Sequence, residues 1–60
     1  MHRDEILRLL QSSAADYLSG ADIGAKLRIS RTAVWKHVKS LERDGYVIEA
    51  SPSKGYRLTF

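Results

Sequence analysis

Sixty residues fold as one domain at most, and a chain this short buries only about 60% of the surface its unfolded form exposes, so it has no room for a catalytic domain and needs nearly every large apolar side chain in its core. Its 43% hydrophobic and 28% charged residues describe a folded domain rather than a disordered segment. Ten basic residues against seven acidic ones give a net charge of +3, which permits a polyanionic partner, while the absence of any apolar run longer than three residues excludes a bilayer span.

Taken in order, Asp4 to Ala14 is predicted as the first helix. Ile6, Leu7, Leu9 and Leu10 make a broad apolar face, Asp4 and Glu5 suit the positive end of the helix dipole, and Asp4 stands four residues before Arg8 in the favourable order. His2 and Arg3 are expected to fray, and His2 is given no role. Asp16 to Leu18 forms a connector whose apolar content is Tyr17 and Leu18, and a third short strand fits there. Ser19 followed by Asp22 has the form of a capping box, with Asp a shorter substitute for the usual Glu or Gln. It opens a second helix over 20–27 that buries Ile23 and Leu27 and carries an Asp22-to-Lys26 pair outside. At about two turns, that helix must rest on its neighbours. Gly24 reads as a close-approach position, and Arg28-Ile29 as a turn in which Ile29 plugs the core where two helices cross.

The stretch SRTAVWKHVKSLERDG, residues 30–45, has a start, two faces and a stop. The Ser30 hydroxyl can accept a hydrogen bond from an amide of the first turn, and Gly45 can take the left-handed conformation that closes many helices. Val34, Val38 and Leu41 recur at helical spacing on one stripe, which is the core face. The opposite side receives Thr32, Lys36, Lys39 and Arg43, with Arg31 and Trp35 on a flank. Within this stretch only Glu42 and Asp44 answer those bases, and residues 22–44 hold six of the chain's ten basic residues against three acidic ones. A helix that presents such a ridge, preceded by a second short helix, has the form of a helix-turn-helix, and its width fits the major groove of B-DNA.

After Gly45, YVIEA and GYRLTF read as strands separated by Ser51-Pro52-Ser53-Lys54. Alternation puts Tyr46 and Ile48 on one face of the first, and Tyr56, Leu58 and Phe60 on one face of the second. Three helices followed by a two-stranded hairpin make an α+β winged helix-turn-helix. Lys54 at the loop and Arg57 on the outer face are placed to meet phosphates beside the groove.

The runs S-R-T-A-V-W-K-H-V-K-S-L, G-Y-V-I and K-G-Y-R-L resemble the N-terminal winged-helix domain of the biotin operon repressor family, over roughly residues 5–59. The resemblance implies a single domain over 1–60, the N-terminal part of a longer cytoplasmic protein, that binds double-stranded operator DNA and represses transcription with Arg31 to Arg43 in the major groove and the Lys54-Gly55 wing at the backbone. It also implies that biotin or biotinyl-AMP belongs to a ligase domain, if the parent protein has one, and that this chain holds no cofactor. Dimerisation would use a domain absent from this chain, leaving the isolated domain monomeric. The sequence departs from the family pattern at Arg28 and Ser53, where members often have glycine, and at Gly24, where they often have a small residue such as alanine.

Within the DNA-binding reading, Arg31, Thr32 and Trp35 are candidates for base edges, because Arg can pair with guanine and Thr or an aromatic edge can contact a thymine methyl. Ser30, Lys36, Lys39, Arg43, Lys54 and Arg57 are candidates for phosphates. Two alternatives stay open: the DNA-binding domain of another winged-helix regulator, and a protein-interaction module anchored on Trp35. An enzyme is argued against. Ser30, His37 and Asp44 share a helix face, but about 10 Å of rise separates neighbours, too far for a proton relay. His37 lacks a second ligand at i+4, cysteine is absent, and no metal site or glycine-rich phosphate loop is predicted.

Overall fold

The computed structural model describes residues 2–13 and 16–59. Its elements are α1 (His2–Ser12), α2 (Gly20–Leu27), α3 (Arg31–Arg43), β1 (Ile48–Ser51) and β2 (Gly55–Leu58), the order expected of a winged helix.

Local signals set the helix starts where polar caps stand. The amide of Asp22 donates to Ser19 Oγ at 2.9 Å and the amide of Ala33 to Ser30 Oγ at 3.0 Å, so α2 and α3 begin where the sequence places them. The end of α3 is a Schellman turn. Gly45, at φ +105°, donates to the Glu42 carbonyl at 3.0 Å, and Tyr46 to that of Leu41 at 3.2 Å. The end of α2 also closes through a left-handed residue, an unusual occupant whose amide donates to the Gly24 carbonyl. Ile29 donates to the Gly24 carbonyl at 2.9 Å, and Arg28 sits at φ 58°, the left-handed region that favours glycine. Arg28→Gly is therefore expected to stabilise the domain by about 0.5–1 kcal/mol, the relief of strain being partly offset by the greater freedom of glycine in the unfolded chain. A urea midpoint that fails to rise would show that the turn carries no strain.

Three boundaries differ from expectation. His2 and Arg3 do not fray but open α1, because the Arg3 guanidinium pairs with the Asp44 carboxylate and His2 Nδ1 lies 3.3 Å from Glu5 Oε1. The same helix stops at Ser12, where the Ser12 and Ser13 hydroxyls donate to the carbonyls of Arg8 and Leu9; Ala14, its expected end, lies outside the described residues. In the hairpin, β1 starts at Ile48 rather than Tyr46, since the Tyr46 amide is used by the Schellman turn, and Ser51 belongs to the strand. The expected Asp4–Arg8 and Asp22–Lys26 ion pairs are not formed among the described residues.

The hairpin is antiparallel, with Ile48 opposite Leu58 and Ala50 opposite Tyr56, and Thr59 extends it by donating to the Val47 carbonyl at 2.8 Å. Beyond β2, Leu18 pairs with Tyr56 as an isolated bridge, so the short third strand expected near Tyr17 and Leu18 is reduced to one residue and the sheet among the described residues has two strands. Phe60 lies outside the described residues. Ser53 takes no left-handed φ, so the wing does not need glycine there. One core joins the three helices and β1: Ile6 and Leu10 of α1, Ile23 of α2, Val34, Val38 and Leu41 of α3, and Ile48 of β1. Leu7, Leu9, Leu27, Ile29, Tyr46, Tyr56 and Leu58 cover its rim. Gly24 is the close approach foreseen: a Cβ there would stand 2.6 Å from the Ile29 carbonyl oxygen, which must shift to admit it.

Candidate nucleic-acid interface

The oily stripe of α3 fixes what its other side presents. With Val34, Val38 and Leu41 buried, the helix has one rotational setting, and Arg31, Thr32, Trp35, Lys36, Lys39 and Arg43 all emerge into solvent. Ser30 is exposed at its start, its hydroxyl oxygen occupied in capping and its proton free to donate. Trp35 is 49% exposed, so it does not serve as a core residue. It carries Lys39 over its ring, the Nζ 5.6 Å from the centroid, and Lys39 Nζ also lies 3.4 Å from Glu42 Oε1. Glu42 is one of the two acids expected to answer the bases of the ridge, and its i+3 spacing from Lys39 sets the pair.

Trp35 stands between two depressions. On one side Lys36, Lys39 and Arg43 border a hollow along the helix. On the other, a groove runs between α3 and the hairpin, with Arg31 and Thr32 on the helix side and Ala50, Pro52 and Tyr56 on the hairpin side. The three base-edge candidates are thus brought together at the lip of that groove, and the phosphate candidates of α3 lie along the same exposed ridge.

The hairpin candidates are placed differently. Lys54 is exposed in the turn, but Arg57 is cross-strand from Glu49, whose carboxylate accepts from its Nε at 2.9 Å and from its Nη2. That hydrogen bond leads the causes that raise the Arg57 pKa above its ordinary value. Arg57 also lies against Tyr17, whose expected part in the connector is apolar content alone. The signal that could have found it is alternation, since Leu18 faces the core and its neighbour must face outward.

His37 is half-buried on the edge of the stripe, its ring centroid 6.2 Å from that of His2. Among the described residues no group of three His, Asp or Glu side chains is arranged to hold a metal ion, and no helix is long and apolar enough to cross a membrane.

Comparison with known proteins agrees with this geometry. The chain is 43% identical over 56 residues to the bifunctional ligase/repressor BirA of Bacillus subtilis, and equally to that of Bacillus spizizenii. Each match takes in 93% of this chain but only 17% of the relative, so the ligase part of those proteins has no counterpart here. The similarity expected from the S-R-T-A-V-W-K-H and K-G-Y-R-L runs is thereby found. The HTH domain family matches residues 2–57, nearly the whole chain, and this protein belongs to that family of helix-turn-helix DNA-binding domains.

Proposed function

We propose that this domain binds a double-stranded operator sequence-specifically in the cytoplasm and represses transcription, as the DNA-reading part of a biotin–protein ligase/repressor. The observation that carries the reading is the exposed basic ridge of α3 beside a groove that leads to the hairpin. With α3 in the major groove, Arg31, Thr32 and Trp35 meet base edges, while Ser30, Lys36, Lys39 and Arg43 meet phosphates and Lys54 reaches the backbone from the wing. Arg57, paired with Glu49 across the hairpin, supports the wing and would meet a phosphate while sharing its guanidinium with that carboxylate. The contact needs no cofactor in this chain; biotin or its adenylate would bind a ligase domain. Pairing of two half-sites would likewise use a dimer contact outside these residues, so the isolated domain is expected to be a monomer that binds weakly.

Phosphate contacts release counterions, so affinity should fall steeply with salt. In anisotropy titrations of a labelled duplex at several salt concentrations, Lys36→Ala is expected to weaken binding to every sequence and to flatten the logarithmic salt slope by about one. An unchanged slope would remove Lys36 from the interface. The 49% exposure of Trp35 also suits a protein-interaction module. Nuclease treatment separates the two readings: captured partners are lost if DNA carries the interaction and retained if protein does.

A further inference from the structure

Two cations of the hairpin share one aromatic ring. The bridge between Leu18 and Tyr56 is closed by amides donating to carbonyls at 2.8 and 2.7 Å, which fixes the connector beside β2. Continuing that antiparallel pairing by one residue sets Tyr17 across from Arg57, and the hairpin register sets Arg57 across from Glu49. The outer face therefore carries a row of phenol, guanidinium and carboxylate. Arg57 Cζ lies 4.9 Å from the Tyr17 ring centroid, and Glu49 holds the same guanidinium from the other side. Tyr17 is thus anchored at both levels, by the backbone bridge of its neighbour and by the stack on a fixed cation.

Lys54 has a different setting. Its amide donates to Ser51 Oγ at 3.3 Å, and its Nζ lies 5.7 Å from the centroid of the Tyr17 ring. Among the described residues it forms no ion pair, though Asp16 borders the same depression. An exposed lysine in a turn must give up several rotatable bonds' freedom on meeting a phosphate, and a ring that already holds the ammonium removes part of that loss.

We propose that Tyr17 is a positioning residue of the wing: anchored by Arg57 and Glu49, its ring holds the Lys54 ammonium where it meets a phosphate of the DNA backbone. The proposal rests on the DNA-binding function above. Because a phosphate contact is independent of sequence, a fluorescein-labelled mixed-sequence duplex is a sufficient probe.

Lys54→Ala is expected to flatten the salt slope by about one. Tyr17→Leu is expected to weaken binding about two- to five-fold, the size of an exposed cation–π contact, in the natural chain and to have no effect in the Lys54→Ala background. Tyr17→Phe, which keeps the ring, should bind as the natural chain does. An effect of Tyr17→Leu that adds in full to that of Lys54→Ala, or no effect in either background, overturns the positioning role. If Tyr17→Leu loses its fold, the natural chain supplies a second measure. The ε-methylene protons of Lys54 should be shifted upfield by the Tyr17 ring, and random-coil shifts there overturn the proposal too. Lys36→Ala tells the two levels apart: a flattened slope with Tyr17→Leu silent leaves DNA binding standing and removes only Tyr17, whereas a natural chain that ignores duplex removes both.

Discussion

Gly55→Ala is expected to cost the domain about 3 kcal/mol or more, much of what a chain this length holds at roughly 0.05–0.15 kcal/mol per residue. Two independent terms act at the same position. Gly55 has φ +108°, where a side chain is strained by about 1–3 kcal/mol. A Cβ there would also stand 2.6 Å from both the Leu18 carbonyl carbon and Ser19 Cα, closer than real Cβ atoms come to backbone. Neither neighbour is a flexible side-chain tip. Leu18 is tied to Tyr56 by two hydrogen bonds, and Ser19 caps α2, so relief at Gly55 must loosen the bridge or the start of the helix-turn-helix. Gly45→Ala is the control, because Gly45 has φ +105° with open space around it and should lose only about 1–2 kcal/mol of conformational preference. Urea titrations followed by circular dichroism should place Gly55→Ala well below Gly45→Ala in midpoint. Equal midpoints would show that the connector yields freely and is not pinned against the hairpin.

That pair of glycines marks where the fold was legible in the sequence and where it was not. Gly45 closes α3 through hydrogen bonds to residues within its own last turn, and Ser19, Ser30 and Gly24 act through equally near neighbours, so local pattern sufficed for them. The constraint on Gly55 comes from Leu18, far away in the chain and brought there only by the fold. The same distance explains the start of α1. Arg3 was expected to fray because nothing near it in sequence holds it, and what does hold it is Asp44, 41 residues on.

The candidate site divides in the same way. The ridge of α3 lies on one helix, and helical periodicity with a buried Val34, Val38 and Leu41 was enough to place every one of its residues on the outside. The wing needed a register that composition does not contain. Once Glu49 stands opposite Arg57 and Tyr17 on its other flank, the arginine is a paired rather than a free charge, and Lys54 is the cation of the turn with no ion pair among the described residues. Arg28 shows an intermediate case: the departure from a family glycine marks the position without fixing its conformation, and the φ of 58° shows that the arginine takes the left-handed turn that favours glycine.

The joint replacement Lys36→Ala, Lys39→Ala and Arg43→Ala should separate folding from binding by the largest margin. All three side chains are exposed on α3, and only Lys39 has an ion-pair partner among the described residues, Glu42 at 3.4 Å with both groups open to solvent. An exposed pair of that kind contributes about 0–1 kcal/mol, so the thermal midpoint should barely move. Binding should change far more. Each phosphate contact adds about 0.9 to the logarithmic salt slope, so three lower it by about three. Relative to about 1 M salt, each contact is then worth roughly eight-fold in affinity at about 0.1 M, and the triple variant should bind duplex about 10²- to 10³-fold more weakly there. The decisive feature is convergence: because the lost term is counterion release, the affinities of the variant and the natural chain should approach each other as salt rises toward about 1 M. A deficit that persists undiminished at high salt would mean that these side chains act through packing or base contacts, and a loss below about ten-fold at low salt would move the phosphate-binding surface off α3 altogether.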